Sequence, residues 1–397
     1  MKLSTLKPTQ KINGKRIFLR VDWNVPLHGG LGGEDSLKIN RTIETIKNLS
    51  ERGAIVLIAT HLGRPKKSDP AYSTKKILRM VAPYTLGIHF LQYRLDTKEG
   101  LKSVQEEIQN AKEGALFLLE NVRYYAGEEK NSPILAKAFA SLADMFINDA
   151  FASCHRTHAS VVGITKYLPA YAGPSLMQEV HALDALVHAP KKPFVAVIGG
   201  AKLSTKVPVL HALLNRADTV LVGGAMANIF FAAQKKEIGK SFVEKESIMM
   251  AKKLLKNKNL ILPSDVAVAK KLEAGYQARV CSVDDVEPDD MIGDIGVATM
   301  KEWSVILKKA KTICWNGPVG VCEVKTFSHG SLFIARVIGS ISKGKCFGVA
   351  GGGDTLPVVL GSGVSKWFDH ISTGGGAMLE YIAHKGSLPG LKAILKK

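Results

Sequence analysis

The sequence predicts an α/β protein built from two doubly wound parallel sheets that are joined by a hinge helix. Short β-branched or apolar runs alternate with longer segments of helical period, and this alternation is typical of parallel βαβ units. The chain has 397 residues, which is longer than a domain with a single hydrophobic core usually is, so two domains are expected. Prolines and glycines interrupt the pattern once, near residues 167–174, and we place the domain boundary there, at 172/173.

In the first half, four apolar runs are each followed by a segment with helical spacing. The predicted strands are 16–21, 54–60, 115–119 and 144–148, and the predicted helices are 40–51, 74–82, 101–111 and 134–143. Because strands alternate with helices, the strands are expected to be parallel, with helices on both faces of the sheet.

The second half repeats this design after a connecting helix at 175–187. Its predicted strands are 194–198, 219–222, 260–262, 312–315 and 346–350, and its predicted helices are 207–214, 226–233, 299–309, 332–342 and 355–360. Each half is therefore expected to be a Rossmann-like sheet, in which ligands bind beyond the carboxyl ends of the strands.

Composition excludes several classes of protein. No apolar run approaches the roughly 20 residues that a membrane span needs, the first residues lack the apolar core of a signal peptide, and the five cysteines form no Cys-x-x-Cys pair. These features predict a cytoplasmic protein with reduced thiols and no membrane partner.

The net charge is strongly positive, +19 from 54 basic and 35 acidic residues. Such a balance can mark nucleic-acid binding, but the lysines are scattered and no RNP-like or zinc-finger spacing accompanies them. We expect no specific nucleic-acid partner, and the charge is better explained as a field that attracts anionic metabolites.

Arginines follow the predicted strands of the first half. Arg20, Arg64, Arg123 and Arg156 lie at or just past strand ends, and Arg41 opens a predicted helix. The planar guanidinium fork binds two oxygens of a phosphate or carboxylate at once. One such arginine is more often part of a surface salt bridge, but five at one sheet edge predict a site for a small anionic molecule.

Glycines follow the predicted strands of the second half. The runs are 199–200, 223–224, 316–317 (Asn-Gly), 351–353 and 374–376. Consecutive backbone amides at a helix N-terminus hold phosphates. Asp354 could reach a magnesium ion between phosphates, and Thr355 could cap the helix. The alternative at 351–355 is a tight strand-to-helix turn without a ligand.

Two lysines, Lys202 and Lys206, follow the first glycine run. If the helix begins near Ser204, Lys206 lies in its first turn, where a cation is poorly placed unless an anion joins it. This placement favours a nearby phosphate. The alternative is that both lysines are solvated at the surface.

Several motifs are absent from the sequence. It has no Gly-x-x-x-x-Gly-Lys-Ser/Thr loop, no strand followed by Gly-x-Gly-x-x-Gly, and no Gly-x-Ser-x-Gly elbow, which weakens the P-loop, dinucleotide and serine-hydrolase interpretations. A reaction between two ionised oxygen groups needs charge neutralisation and alignment rather than a base, which is the logic of phosphoryl transfer. The alternatives are a dehydrogenase that binds a dinucleotide and a basic nucleic-acid binder without catalysis.

The motifs together, in this order, resemble the phosphoglycerate kinase family over essentially the whole chain. Residues 20–26 (RVDWNVP), 61–65 (HLGRP), 120–123 (ENVR), 148–151 (NDAF) and 155–156 (HR) are similar to the family's N-domain motifs. Residues 199–206, 315–318 (WNGP), 351–355 and 372–376 (STGGG) are similar to its nucleotide motifs. The chain departs from common family residues at Trp23, Ala225, Val319 and Cys322 and in the Ile292-Gly293 order.

The resemblance implies a set of site residues. Those that would bind the phosphoglycerate are Asp22, Trp23, Asn24, Arg41, His61, Leu62, Gly63, Arg64, Arg123 and Arg156. Those that would bind the nucleotide are Lys202, Lys206, Asn316, Glu323, Gly352, Gly353, Asp354 and Thr355, with Asp354 directed towards the metal. Those that would stabilise the transferring group are Arg41, Lys206, Gly352 and Gly375.

The resemblance also implies the reaction and the organisation of the protein. The reaction would be reversible phosphoryl transfer from 1,3-bisphosphoglycerate to Mg-ADP, giving 3-phosphoglycerate and ATP, after closure about the hinge. Mg²⁺ would be bound with ADP or ATP. The protein would be a monomer, with residues 1–172 binding the phosphoglycerate, residues 173–377 binding the nucleotide, and residues 378–397 packing back on the first domain.

Overall fold

The first part of the chain forms a six-stranded parallel sheet. The computed structural model describes residues 2–26, 33–65, 67–84 and 87–396. The strands are β1 (Arg16–Arg20), β2 (Ile55–Ala59), β3 (Ile88–Leu91), β4 (Leu116–Leu119), β5 (Met145–Asn148) and β6 (Ala170–Ala172). The helices are α1 (Gly33–Glu51), α2 (Leu78–Val81), α3 (Lys98–Gln109), α4 (Pro133–Ala140) and α5 (Pro174–Val187).

The strand order of this sheet is β3-β4-β2-β1-β5-β6. Strands β2, β4 and β3 lie on one side of β1, and β5 and β6 lie on the other side. The strand order therefore reverses between β1 and β5. Arg20 pairs with Ala59 of β2 and with Asn148 of β5. The residues that follow β1 and β5 therefore leave the sheet at the topological switch point, where α/β proteins bind ligands.

The next part of the chain forms a second six-stranded parallel sheet and a small antiparallel one. The strands are β7 (Phe194–Ile198), β8 (Thr219–Val222), β9 (Leu260–Ile261), β10 (Asp265–Ala269), β11 (Arg279–Ser282), β12 (Met291–Ile295), β13 (Thr312–Asn316), β14 (Phe347–Gly351) and β15 (His370–Ser372). The helices are α6 (Val207–Leu214), α7 (Ala225–Ala233), α8 (Ile248–Leu254), α9 (Val297–Lys309), α10 (His329–Ile341), α11 (Thr355–Gly361) and α12 (Gly376–Ala383).

The order of the second parallel sheet is β15-β14-β13-β7-β8-β9. Its switch point lies between β7 and β13, whose last paired residues are Ile198 and Asn316. The glycine runs that follow these two strands leave the sheet side by side.

The antiparallel sheet has the order β11-β10-β12. Val266 and Val268 of β10 form a buried cluster with Ala227 and Phe231 of α7. The small sheet thus packs on the helix that follows β8.

The described chain divides into two compact units, Met1–His181 with Gly386–Lys397, and Ala182–Lys385. The division falls within α5. Residues 386–397 contain the short helix α13 (Pro389–Lys392) and belong to the first unit: Leu3 forms a bridge with Leu395, and the Gly390 amide donates to the Cys154 carbonyl at 2.8 Å. The α12 helix belongs to the second unit and packs on α6.

The predicted fold class of two parallel α/β sheets is confirmed. All nine predicted strands are present within one or two residues, but the sequence prediction was incomplete: it missed β3, β6, β10, β11, β12 and β15, together with α8, α12 and α13. The predicted helix 74–82 begins as a 3-10 turn, Thr74–Ile77, before α2. Among the described residues, no helix combines the length and apolarity that crossing a membrane requires.

Candidate active site

Except for Arg41, which lies within α1, the arginine and glycine motifs lie at or just past the carboxyl ends of strands. In the first unit, the segments after β1, β2, β4 and β5 carry Asp22, His61, Arg123 and Arg156. In the second unit, the glycine runs follow β7, β8, β13, β14 and β15. Each unit therefore presents one set of loops at one edge of its sheet.

Arg20 is a buried structural cation at the switch point of the first sheet. It is 1% exposed, and its guanidinium donates to Ser160 Oγ at 3.0 Å and to the Val21 carbonyl at 2.5 Å. Ser160 in turn donates to Glu128 at 2.5 Å, and Glu128 is fully buried. Burial lowers the pKa of Arg20, while the Glu128 charge opposes that change.

Sequence reasoning missed Glu128 and Ser160, although together they hold the arginine at the end of β1. The available signal was weak: Glu128 follows the ENVR segment by five residues in a stretch of turns. Nothing in its immediate neighbourhood predicts burial.

Three further arginines form a cluster with few compensating acids. Burial lowers the pKa of Arg123, and the charges of Arg156, Arg20 and Arg64 lower it further. The pKa of Arg156 is lowered by burial and by Arg64, and raised by Glu129 and Asp22. Arg123 pairs with Glu129 at 2.9 Å, but that carboxylate is 63% exposed. The mutual repulsion of these guanidinium groups would be relieved by a bound anion.

Two histidines beside this cluster are held neutral. Burial, followed by the charge of Arg20, lowers the pKa of His61 well below its usual value. Burial and the charge of Arg123 lower the pKa of His158 to about 3. The His61 ring lies 3.3 Å from the guanidinium of Arg20 through Nδ1. A neutral histidine can donate one hydrogen bond to an anion without adding charge.

Asn24 and Asn121 hold the loop that carries His61, Leu62, Gly63 and Arg64. Asn24 Oδ1 accepts from the Gly63 amide at 2.8 Å, and Gly63 has a φ of +61°. Asn121 is fully buried; its Nδ2 donates to the Leu62 carbonyl at 2.8 Å and its Oδ1 accepts from the Arg123 amide at 3.0 Å. One buried amide thus links the loops after β2 and β4.

Trp23 and Leu62, two of the residues implied by the resemblance, have buried side chains. Trp23 is fully buried in the hydrophobic core, where its indole Nε1 donates to Thr42 Oγ1 at 2.8 Å. Leu62 is 2% exposed and belongs to the same core. Their side chains support the loops and do not face solvent.

Arg41 is engaged in an ion pair within the first unit. Its Nη1 lies 2.7 Å from Glu179 Oε1, and the two side chains are 15% and 2% exposed. Arg41 also lines a cavity of about 710 Å³ together with Thr45 and Met177. It is not among the charges that act most strongly on Arg123 and Arg156.

In the second unit, most of the predicted nucleotide residues line a single cavity of about 170 Å³, here called the glycine cavity. Its lining residues are Lys206, Asn316, Gly317, Gly352, Gly353, Asp354, Thr355, Gly375, Gly376 and Leu379. The site residues implied by the sequence include seven of these ten; Gly317 and Gly376 were named only as members of their glycine runs, and Leu379 was not named. Lys202 and Glu323 are exposed and lie outside the cavity lining.

Lys206 bridges the two strands at the switch point of the second sheet. Its Nζ donates to the Gly199 carbonyl at 2.6 Å and lies 3.4 Å from the Asn316 carbonyl. Burial lowers the pKa of this amine to about 8, and Asp354 opposes the shift. The ammonium group is therefore held by backbone carbonyls in a partly buried position at the cavity, where a phosphate would stabilise its charge.

The glycines of this cavity are required by close backbone approach. Gly317 has a φ of +93°, and a Cβ there would lie 2.2 Å from the Gly199 carbonyl oxygen and 2.6 Å from Lys206 Nζ. Gly352 has a φ of +112°, and a Cβ there would lie 2.8 Å from Asn316 Nδ2. A side chain at either position would displace the residues that form the cavity.

Two local expectations from the sequence were wrong. The α6 helix begins at Val207, so Lys206 occupies the position before the helix instead of its first turn. Thr355 does not cap α11; the cap position is Asp354, and Thr355 Oγ1 accepts from the Gly317 amide at 2.7 Å. Thr355 thus connects the loop after β14 to the loop after β13 through this hydrogen bond.

Among the described residues that line the glycine cavity, Asp354 is the only acid. Within the described residues, no group of three or more His, Cys, Asp or Glu side chains is placed to hold a metal ion. A single carboxylate suits Mg²⁺ that is held mainly by phosphate oxygens and water.

Two parallel α/β units, one with clustered arginines and the other with glycine loops around a lysine at the switch point, define a two-domain phosphotransferase. A sequence model of the family described as phosphoglycerate kinase matches residues 8–385. The chain belongs to the phosphoglycerate kinase family.

Individual relatives agree with this assignment. A phosphoglycerate kinase of Fervidobacterium nodosum is 41% identical over 395 residues, covering 97% of each chain. One of Thermus thermophilus is 40% identical over 386 residues, covering 96% of this chain and 97% of the relative. Solved phosphoglycerate kinases of Coxiella burnetii and Pyrococcus horikoshii each have a TM-score of 0.84, at 35% and 31% identity, with 97% of both chains covered.

Proposed function

We propose that this protein is a glycolytic kinase that reversibly transfers a phosphoryl group from 1,3-bisphosphoglycerate to Mg-ADP, giving 3-phosphoglycerate and ATP. The first unit would bind the phosphoglycerate and the second would bind the nucleotide. Membership of the phosphoglycerate kinase family supports the reaction, and the two sets of loops support the division of labour.

The observation that carries the proposal is the placement of Lys206. Its buried ammonium is held 2.6 Å from a backbone carbonyl and faces a cavity formed by five glycines. Such an arrangement leaves the positive charge incompletely compensated, and phosphate oxygens are its natural partner. We assign Lys206, Gly352 and Gly375 to the transferring phosphoryl group.

The arginine cluster is the proposed site of the phosphoglycerate. The charges of Arg156 and Arg64 lower the pKa of Arg123, and the charge of Arg64 lowers the pKa of Arg156, so an anion with a phosphate and a carboxylate would stabilise the cluster. Asp22 and Asn24 would accept hydrogen bonds from its hydroxyl group or orient the loops. Arg41 would leave Glu179 or share it when it contacts the transferring group.

Magnesium would be held by Asp354 together with the phosphates of ADP or ATP. When bound, the magnesium ion would neutralise charge on the phosphate oxygens. The residues of the chain then align the two oxygens that exchange the phosphoryl group.

The reaction needs no general base, because both the nucleotide oxygen and the carboxylate oxygen are already ionised. The positive side chains lower the barrier by stabilising charge that spreads over the transferring group. Since the substrates are assigned to different units, transfer requires that the two ligands be brought within bonding distance and shielded from water. The dehydrogenase and nucleic-acid alternatives have no comparable support.

A coupled assay tests the proposal. Purified protein is supplied with ATP, Mg²⁺ and 3-phosphoglycerate, and the acyl phosphate product is coupled to NADH oxidation. We expect turnover in the wild type and a loss of roughly 10³-fold or more in kcat for Arg41→Ala and for Lys206→Ala, since one well-placed cation can supply this much.

Lys252→Ala is the control, because Lys252 is exposed on α8 and outside both loop sets. It should retain wild-type turnover. An absence of turnover in the wild type, or full activity after loss of both Arg41 and Lys206, would contradict the proposal.

A further inference from the structure

Asp149 follows β5 at the switch point of the first sheet and belongs to the NDAF segment, which has no part in the proposed substrate contacts. It is 2% exposed, and its backbone amide donates to the Arg20 carbonyl, at the end of β1, at 2.8 Å. A buried carboxylate is costly unless several donors hold it. The donors around Asp149 therefore show which parts of the unit it connects.

The carboxylate of Asp149 connects helices α1 and α5. Its Oδ2 accepts from Thr45 Oγ1 of α1 at 2.7 Å, and its Oδ1 accepts from the Leu176 amide in the first turn of α5 at 2.9 Å. A carboxylate at the N-terminus of a helix satisfies a backbone amide and is stabilised by the helix dipole. Burial raises the pKa of Asp149 to about 6, and the donors from both helices oppose this rise. The carboxylate thus holds the start of α5 against α1.

The backbone before α5 leaves space for this carboxylate. Gly173, the residue that precedes the helix, lies so close to Asp149 that a Cβ at position 173 would be 2.4 Å from Asp149 Cγ. The Gly173 amide donates to the Asn148 carbonyl at 2.8 Å, so the chain enters α5 directly beside the end of β5. Because Gly173 has no side chain with which to cap the helix, the cap comes from Asp149.

Arg41 lies one helical turn before Thr45, on the same face of α1. Its ion pair with Glu179, at 2.7 Å, also joins α1 to α5, and Glu179 follows Leu176 by three residues. The two contacts therefore lie at adjacent turns of both helices. In the proposed reaction Arg41 leaves or shares Glu179, which weakens the first contact. The contact through Asp149 does not involve the guanidinium and can persist during the transfer.

We propose that Asp149 is a positioning residue: by holding α1 against the start of α5, it keeps Arg41 in place while the guanidinium exchanges Glu179 for the transferring phosphoryl group. Asp149 itself touches neither substrate. This role rests on the proposed function, because it concerns the placement of Arg41 for the transfer assigned to it there. Misplacing a reacting group by about 1 Å can cost roughly 100-fold in rate, so loss of the contact should appear in kcat.

The test begins with two substitutions of the same residue, measured in the coupled assay on protein that circular dichroism shows to be folded. Asp149→Ala removes both acceptors and should lower kcat by roughly 10- to 100-fold, while the KM values for ATP and 3-phosphoglycerate change by less than about twofold. Asp149→Asn should keep kcat within about threefold of the wild type. Its amide oxygen still accepts from Leu176, and its NH2 group can donate to the Thr45 hydroxyl.

Asp144→Ala is the matched control. Asp144 immediately precedes β5 and accepts from Arg16 Nη2 at 2.7 Å, so this variant loses an aspartate contact at the other end of the same strand. It should keep the wild-type kcat.

A double-mutant cycle distinguishes positioning of Arg41 from a general effect on the fold. In an Arg41→Ala background there is no guanidinium to place, so adding Asp149→Ala should lower kcat by less than about twofold. Thr45→Val supplies the same comparison if Asp149→Ala fails to fold. Alone it should lower kcat about threefold or more, and in the Arg41→Ala background it should have almost no effect.

Three outcomes would overturn the proposal. A wild-type kcat in Asp149→Ala would mean that the contact does not serve catalysis, and an Asp149→Asn variant as impaired as Asp149→Ala would mean that the hydrogen bonds are not what matters. Equal fold losses with and without Arg41 would mean that Asp149 acts on the fold and not through Arg41. Failure of the proposed function would appear differently, as a lack of turnover with 3-phosphoglycerate in the wild type.

Discussion

At the scale of single residues, the two proposed anion sites achieve their positive charge by different means. Arg123 and Arg156 remain charged under mutual repulsion, because the guanidinium group does not lose its proton in proteins. Lys206 is a single amine whose burial brings its pKa to about 8. Only the lysine site is therefore expected to depend on pH in the physiological range.

We predict that kcat/KM for the nucleotide falls as pH rises through about 8 in the wild type. Below this pH the Lys206 ammonium carries its charge; above it the free enzyme holds a neutral amine that binds phosphate weakly. The measurement is a pH profile of the coupled assay, with the coupling enzymes in excess. Lys206→Arg is the control, since a guanidinium keeps its charge and should remove the decline. A wild-type profile that stays flat to about pH 9.5 would show that this amine does not act through its charge.

At the residue scale, the sequence indicated candidate site residues where the chemistry is local. Lys206, Asn316, Gly352 and Gly375 were identified from the runs that contain them, and all four line one cavity. Sequence reasoning did not find Glu128, whose importance depends on burial that its neighbours in sequence do not reveal. Glu128 becomes visible only when Arg20 and Ser160 are brought to it from elsewhere in the chain.

Four of the positions where the chain departs from common family residues lie together in the second unit. Ala225, Val319, Ile292 and Gly293 line one cavity of about 110 Å³, whereas Trp23 and Cys322 lie outside its lining. These positions are scattered along the chain, and α7, β12 and the loop after β13 bring them together.

At the scale of elements, the end of β1 is held by the buried Arg20–Ser160–Glu128 chain of hydrogen bonds. We predict that Glu128→Gln lowers the free energy of unfolding by roughly 3–5 kcal/mol, because it leaves the Arg20 charge without its buried partner. The measurement is urea denaturation at neutral pH.

The neighbouring residue provides a matched control. Glu129→Gln removes the same charge from an exposed carboxylate that pairs with Arg123, and such pairs contribute about 0–1 kcal/mol. Equal stability losses for the two variants would mean that burial of Glu128 does not matter to the fold.

Two of the strands that the sequence missed are short. The exposed edge strand β11 has the sequence RVCS, and β15 contains only three residues. Alternation over so few residues is indistinguishable from a loop. Strands β2 (IVLIA) and β7 (FVAVI) are apolar throughout and fully buried, which made them easy to find in the sequence.

At the scale of the whole molecule, the charge of +19 should attract anionic substrates over distances that salt can screen. We predict that raising KCl from about 50 mM to about 300 mM increases the KM for 3-phosphoglycerate several-fold, with a smaller change in kcat. The measurement is the coupled assay at constant Mg²⁺.

Two variants that each lose one positive charge distinguish the effect of the arginine cluster from the effect of the net charge. Arg64→Gln removes an exposed member of the arginine cluster, whereas Lys308→Gln removes an exposed charge on α9 in the second unit. The salt dependence of KM should weaken clearly in Arg64→Gln and should hardly change in Lys308→Gln. Equal effects would indicate that net charge, and not the arginine cluster, governs substrate capture.

The membership of residues 386–397 in the first unit sets the order in which the protein can be completed during synthesis. These residues follow the entire second unit along the chain, yet they pair with Leu3 and Cys154. A ribosome therefore releases every residue of the second unit before it supplies the segment that the first unit still lacks. Since domains generally fold as units while they emerge, the part of the chain made first is the part finished last.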